Sequence, residues 1–251
     1  MTLGALLTQA SVPDAVVHCA GGGSVGYSVT RPYDDYLRTV ASTAALLEFM
    51  RLYAPKAALV YPSSAAVYGH AAKLPISETD PLRPVSPYGV HKQIAEQLCA
   101  SHASRYGIRI AIVRLFSVYG CGLRKQLLWD ACSRISNGGT EFSGTGKEQR
   151  DWLHIDDAAS LLALALDHAG TDCPVLNGGS GQAASVSQVL REIAGLLGVD
   201  ASVTFTGQVR KMDPVAYVAD ISRARALGWN PARQWRDGVG EYVHWFRSGA
   251  N

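Results

Sequence analysis

Tyr88 and Lys92 stand four residues apart in Tyr88-Gly89-Val90-His91-Lys92, a spacing that puts both side chains on one face of a helix. Tyrosine is a poor acid or base near neutrality, but a neighbouring ammonium favours its phenolate and draws its pKa towards working pH. Lys92 can be that ammonium. Ser64, in Ser63-Ser64-Ala65-Ala66-Val67-Tyr68-Gly69, sits where a strand ends. Its hydroxyl can hydrogen-bond the same alcohol or carbonyl oxygen that Tyr88 deprotonates or protonates. The three together are equipped for hydride-transfer chemistry. Tyr and Lys at this spacing on a helix surface ordinarily only support the helix. Their context gives them weight: a strand from Ala57 to Tyr61, a serine-rich turn, a polar loop, and a helix opening at Pro87, a favoured first-turn residue.

These residues need a scaffold, and 251 residues suffice for one large domain or a domain with a small lobe. Hydrophobic residues make up 47% and charged residues 18%, a globular balance that excludes disorder. No apolar run approaches the ~20 residues that span a bilayer, and Met1 to Leu7 lack the basic start of a signal peptide. A cytoplasmic enzyme with no membrane partner is expected. The net charge of +2 offers no nucleic-acid surface. The five cysteines show no CxxC spacing and read as reduced, mostly buried thiols, and the seven histidines show no HxxxH or HExxH pattern, so no metal site is expected.

Short apolar runs alternate with helix-length amphipathic segments, which predicts a parallel sheet with helices on both faces. The expected strands are Ala15 to Ala20, Ala57 to Tyr61, Ile108 to Leu115 and Val175 to Asn177. The first and third are rich in β-branched residues and read as sheet interior. Helices are expected around Tyr33 to Tyr53, Pro87 to Tyr106, Lys125 to Asn137, Asp156 to His168 and Ser185 to Leu197. From Gly120 onward the pattern is less regular. This divides the chain into a partial dinucleotide-binding domain, 1–119 plus 140–171, and a small substrate lobe, 120–139 plus 172–251.

In this order along the chain, DAVVHCAGGGSVGYSV (14–29), YPSSAAVYG (61–69), SPYGVHK (86–92), RLFSVYG (114–120), RDWLHIDDAA (150–159), VLNGGSGQAASV (175–186) and ADISRARALGWNP (219–231) resemble the extended short-chain dehydrogenase/reductases, specifically the NAD-dependent epimerase/dehydratase group acting on nucleotide sugars. The resemblance implies an α/β fold with a Rossmann-like doubly wound sheet, NAD as cofactor with NADP left open, a nucleotide-diphosphate sugar as substrate, and a homodimer. It implies Ser64, Tyr88 and Lys92 as the catalytic set, with Lys92 also holding the nicotinamide ribose and Ala20 and Gly21 lying against the cofactor.

The family opens with a strand, a GxxGxxG loop and a helix whose amides bind the cofactor pyrophosphate. The sequence is read as starting after that unit, which would leave Ala15 to Ala20 an open sheet edge and hold NAD weakly. Gly21-Gly22-Gly23-Ser24-Val25-Gly26 formally satisfies GxGxxG, but Tyr27 to Pro32 are not expected to open a helix, and no strand ending in Asp or Glu lies ~20 residues on, so it is rejected as the phosphate loop. Thr39 and Ser117 stand where the family carries asparagine.

By the same resemblance Arg150 of the RDxxH segment and Arg210, in Arg210-Lys211-Met212-Asp213-Pro214, hold the substrate diphosphate, for which forked guanidinium donors are suited. Arg124 and Lys125 either reach it too or flank a helix. Sugar 4,6-dehydratases of the family carry Asp-Glu directly after the catalytic Ser/Thr, and Ala65-Ala66 cannot supply that acid and base. A 4-epimerase is the favoured reading. A nucleotide-sugar 4-ketoreductase or dehydrogenase, and a sugar-nucleotide-binding pseudoenzyme, are the alternatives.

Overall fold

The computed structural model describes residues 12–199, 202–208 and 215–249. In chain order its elements begin with β1 (Ala15–Val17), α1 (Val25–Thr30), α2 (Pro32–Tyr36), a π-helical turn (Leu37–Ala41), α3 (Ser42–Tyr53), β2 (Ala58–Ser64), a 3-10 turn (Ala65–Val67) and α4 (Pro87–Tyr106). There follow β3 (Arg109–Leu115), β4 (Ser117–Tyr119), α5 (Gln126–Ser136), β5 (Glu141–Phe142), β6 (Gln149–His154) and α6 (Ile155–Asp167). The last are β7 (Val175–Gly178), β8 (Ala183–Ser185), α7 (Val186–Leu197), β9 (Thr204–Phe205), α8 (Ser222–Ala226) and α9 (Trp235–Arg247). No helix among the described residues is long and apolar enough to cross a membrane.

The chain divides into two compact units, one of Met1–His70, Glu78–Leu115 and Leu161–Asn177, the other of Ala71–Ser77, Phe116–Ser160 and Gly178–Asn251. The first carries a sheet in the order β1-β2-β3-β7. β2 and β3 run parallel in register from Ala58 opposite Arg109 to Ser64 opposite Leu115. Both are near-continuous apolar runs, as strands covered on two faces must be. Leu47, Met50, Leu59, Tyr61, Ala95, Cys99 and Ile110 close the core above them. β1 is shorter than the expected Ala15 to Ala20: it is three residues long, pairs only with β2 among the described residues, and leaves Val17 38% exposed.

α4 starts and stops where its residues dictate. Ser86 in extended backbone accepts a hydrogen bond from the Gly89 amide at 3.2 Å, and Pro87 occupies the first turn. The rod from Pro32 to Tyr53 contains the π turn because Thr43 Oγ1 donates to the Thr39 carbonyl at 2.6 Å and Ser42 Oγ donates to that of Arg38, loosening the regular ladder. α1 corrects the sequence reading directly. A helix does open in the Tyr27 segment, because Ser24 Oγ accepts from the Tyr27 amide at 3.2 Å and Ser28 Oγ donates to the Val25 carbonyl at 2.8 Å.

In the second unit β4 and β6 are parallel, β6 and β8 antiparallel, and β5 pairs with β9. The apolar stripe Val189, Leu190, Ile193 and Ala194 of α7 meets Leu128, Ala131, Cys132 and Ile135 of α5 and Val239, Tyr242 and Val243 of α9. Burying each large aliphatic side chain there stabilises by about 1.5–3 kcal/mol. A capping box between Ser185 and Gln188 starts α7.

Candidate active site

Ser64 is the last residue of β2 and caps the 3-10 turn, its Oγ accepting from the Ala66 amide at 3.2 Å. Tyr88 lies in the first turn of α4. What lets that turn close on the strand end is Gly89: a Cβ there would stand 2.6 Å from the Ala66 carbonyl oxygen and 2.9 Å from Pro84 Cβ. Any side chain at 89 would therefore push α4 off the turn. Ser28 adds a second tie, accepting from the Tyr88 amide at 3.0 Å. The Ser64 hydroxyl stands near enough to that of Tyr88 to favour its ionised form.

Lys92, one turn further along α4, is 6% exposed and donates from Nζ to the Pro62 carbonyl at 2.8 Å. Its ammonium stands 4.9 Å from the Tyr61 ring centroid and 6.0 Å from that of Tyr88. Burial pushes Lys92 down to about 8, opposed by the Asp35 and Glu96 carboxylates. Tyr88 differs from expectation: loss of solvent around its hydroxyl pushes it above the ordinary tyrosine value, and the Ser64 hydroxyl lowers it without prevailing. Lys92 is tied to the Pro62 carbonyl, and its charge does not offset that loss of solvent. Ala20 and Gly21 follow β1 as exposed residues, and a Cβ on Gly21 would meet Lys92 Nζ at 3.7 Å.

The second unit holds the residues expected at the diphosphate. Arg150 on β6 lines a cavity of about 730 Å³, together with Trp129, Arg134, Phe142 and Glu148. That volume lies within the usual range for small-molecule sites. Ser117 is half-buried on β4, opposite Trp152. Arg124 is set over the rings of Trp129 and Trp245, 5.7 Å from each centroid, and Lys125 caps α5. Neither Ser117 nor Arg124 lines the cavity. Arg210 lies outside the described residues. Asp151, beside Arg150, is fully buried and accepts from the amides of Ser180, Gly181 and Ala219, so it fastens β6 to two later segments.

A strand-end serine, a helix-borne Tyr-x-x-x-Lys and a parallel sheet beneath them form a recurrent arrangement. Residues 2–177 match the model of the NAD dependent epimerase/dehydratase family. The chain belongs to that family. It is 34% identical to a UDP-glucose 4-epimerase of Azospirillum brasilense, over 94% of this chain and 73% of the relative. Among solved structures it resembles the UDP-glucose 4-epimerase of Thermotoga maritima with UDP-glucose, at a TM-score of 0.91 and 26% identity, covering 99% of this chain and 82% of that one. MoeE5 in complex with UDP-glucose and NAD matches at a TM-score of 0.89 and 30% identity, over 100% of this chain and 85% of that one.

Three groups around the family site went unmarked in the sequence. Arg114 is buried and clamps Glu96, Nη2 to Oε2 at 2.8 Å, and also donates to the Tyr68 hydroxyl at 3.0 Å. Ser63 donates to Glu96 Oε1 at 2.5 Å. Asp35, fully buried, pairs with His91 Nδ1 at 2.6 Å. Each joins residues far apart in the chain, which no local spacing signals; His91 alone offered a hint, as a titratable residue inside the Tyr-Lys motif.

Proposed function

We propose that this chain is an NAD-dependent nucleotide-sugar 4-epimerase, with Ser64, Tyr88 and Lys92 as its reaction centre. The observation that carries the reading is Ser64 beside Tyr88 with the Lys92 ammonium 6.0 Å from the Tyr88 ring, Ser64 being followed by Ala65-Ala66, which leaves no acid or base for dehydration. The donor set fits the nicotinamide riboside of a dinucleotide: a buried ammonium for ribose hydroxyls, and at Gly21 a bare backbone facing it. Lys92, Tyr88, Ala20 and Gly21 would hold that end. When bound, NAD supplies a hydride acceptor that is regenerated within each turnover. Tyr88, in the phenolate form reached by loss of its own proton to solvent, takes the proton of the sugar hydroxyl and later returns it to the keto oxygen, while Ser64 fixes that oxygen in place. Lys92 supplies the positive charge that the phenolate needs.

In this reading the unit with the four-stranded sheet binds the dinucleotide, and the cavity beside Arg150 takes the nucleotide of a UDP-type sugar, with Arg124, Ser117 and Arg210 as further substrate contacts. A homodimer working in the cytoplasm belongs to the same proposal, supported by exposed Leu52, Tyr53, Val90 and Tyr106 on α3 and α4. The test is incubation of the protein with NAD and UDP-hexoses, following the 4-epimer by NMR. Interconversion without net change in NADH is expected; stoichiometric NADH formation with accumulation of a keto sugar would identify the dehydrogenase or ketoreductase, and no conversion with any UDP-hexose would overturn the epimerase.

A further inference from the structure

Asp35 is completely buried, yet only half of its carboxylate is satisfied. Oδ2 lies 2.6 Å from His91 Nδ1, whereas Oδ1 has no hydrogen-bond partner among the described residues. A carboxylate only accepts, so His91 contributes the proton of that bond. His91 sits on α4 between Tyr88 and Lys92, and its ring meets that of Tyr36 edge-on at 5.8 Å. On the other side stand two glycines. A Cβ on Gly22 would fall 2.0 Å from Asp35 Oδ1, and one on Gly21 would fall 3.7 Å from Lys92 Nζ. The Gly21-Gly22 dipeptide thus borders both the bare carboxylate oxygen and the ammonium. A buried acceptor left bare is costly, so a neighbouring positive charge must offset it.

We propose that Asp35, held by His91, is a positioning residue for the Tyr88-Lys92 centre, its buried negative charge keeping Lys92 an ammonium. This rests on the reading of Tyr88 and Lys92 as the reaction centre. The titratable groups around Lys92 single Asp35 out. From α4 itself come Tyr88, His91, Glu96 and Cys99; from β2, Tyr61; from the end of β1, His18 and Cys19; from α2, Tyr36 and Asp34, the latter tied to Tyr27 of α1 at 3.2 Å. Two carboxylates oppose the effect of burial on Lys92, Asp35 first and Glu96 second. Glu96 is already neutralised by Arg114 at 2.8 Å. Among the described residues Asp35 pairs with no lysine or arginine, only with His91. The same charge disfavours the Tyr88 phenolate, so the pair holds the resting site as neutral tyrosine beside charged lysine.

The test uses the ligand-free protein with labelled lysine, following the Lys92 Nζ and Cε resonances against pH and assigning them with Lys92→Arg. The wild-type midpoint is expected near 8. Asp35→Asn should lower it by about one unit or more, the scale of a nearby charge. His91→Phe should act in the same direction, because a buried carboxylate without a donor takes up a proton, whereas His91→Asn keeps a donor and should restore the wild-type midpoint. An unmoved midpoint in folded Asp35→Asn overturns the proposal. If that variant does not fold, equal midpoints in the two His91 variants overturn it. In parallel, the alkaline limb of the pH-rate profile for UDP-hexose epimerisation should move to lower pH in Asp35→Asn. A shifted midpoint in a protein inactive with every UDP-hexose upholds the pair and refutes the epimerase; epimerisation with an unshifted midpoint refutes the pair and leaves the epimerase standing.

Discussion

Tyr88 and Lys92 are each pulled two ways, and burial wins in both, raising the tyrosine and lowering the lysine. A neutral tyrosine is the form that protonates a keto oxygen, and a lysine poised near 8 is still charged at neutral pH. If Tyr88 is the proton carrier, Tyr88→Phe should lower turnover of UDP-hexoses by about 10²–10⁴ while leaving nucleotide-sugar affinity within a few fold. Retention of a tenth of the wild-type rate would remove Tyr88 from that role. Lys92 carries a pH signature independent of catalysis. Its proton leaves near 8 when folded and near 10.5 when unfolded, so between those values the unfolded chain binds more protons and stability from this group rises with pH. Urea denaturation of wild type and Lys92→Met should therefore diverge in favour of wild type as pH climbs from 8 to 10, and parallel curves would show that Lys92 is not desolvated. These identities were legible because a tyrosine and lysine one turn apart, preceded by Ser-Pro, form a local signal. The direction of the Tyr88 shift was not, since the partner of Lys92 is a carbonyl 30 residues away.

Among the elements, α4 and β2 do most to make the site, and their contact is set by one missing side chain. Gly89→Ala would drive a methyl group to within 2.6 Å of the Ala66 carbonyl. Helix propensity favours alanine there by about 1 kcal/mol, but overpacking costs about 1–3 kcal/mol, so the variant should be less stable and lose turnover as Tyr88 is displaced from Ser64. A thermal midpoint and rate equal to wild type would show that the turn yields. The other tie is Arg114 of β3 to Glu96 of α4, one turn beyond Lys92. Glu96→Gln leaves a buried guanidinium without its carboxylate and should destabilise by about 3–5 kcal/mol in chemical denaturation; a loss below 1 kcal/mol would mean that the Tyr68 and Glu78 oxygens suffice for Arg114. Helix α4 could be read to the residue because Ser86, Pro87 and Gly107 mark its ends. α1 could not, because its six residues are held by Ser24 and Ser28 and lack the apolar period that signals longer helices. α9, with Trp235, Val239, Tyr242 and Val243 at helical spacing, was overlooked in a region that reads as irregular from its glycines and prolines.

At the scale of the molecule, the two units divide residues that the sequence lists in succession. Ser64, Tyr88, Lys92, Asp35 and His91 belong to the first, Arg150 and its cavity to the second. Both candidate sites were legible because each is a short run with its own chemistry. Pairings that cross from one run to another, such as Asp35 with His91 or Asp151 with Ala219, were invisible because they depend on the tertiary fold alone. If the division is functional, the two ligands should respond separately to substitution. Arg150→Ala removes a forked donor from a cavity also lined by Glu148, leaving Arg134 on the cavity wall to face that negative charge. UDP binding should weaken by about 1.5–3 kcal/mol in calorimetry, and that loss should shrink as salt is added. NAD affinity, which the proposed function assigns to Lys92 and the backbone at Gly21, should stay at its wild-type value. Equal losses for both ligands would mean that Arg150 supports the fold and not the nucleotide, and unchanged UDP affinity would take it out of the site.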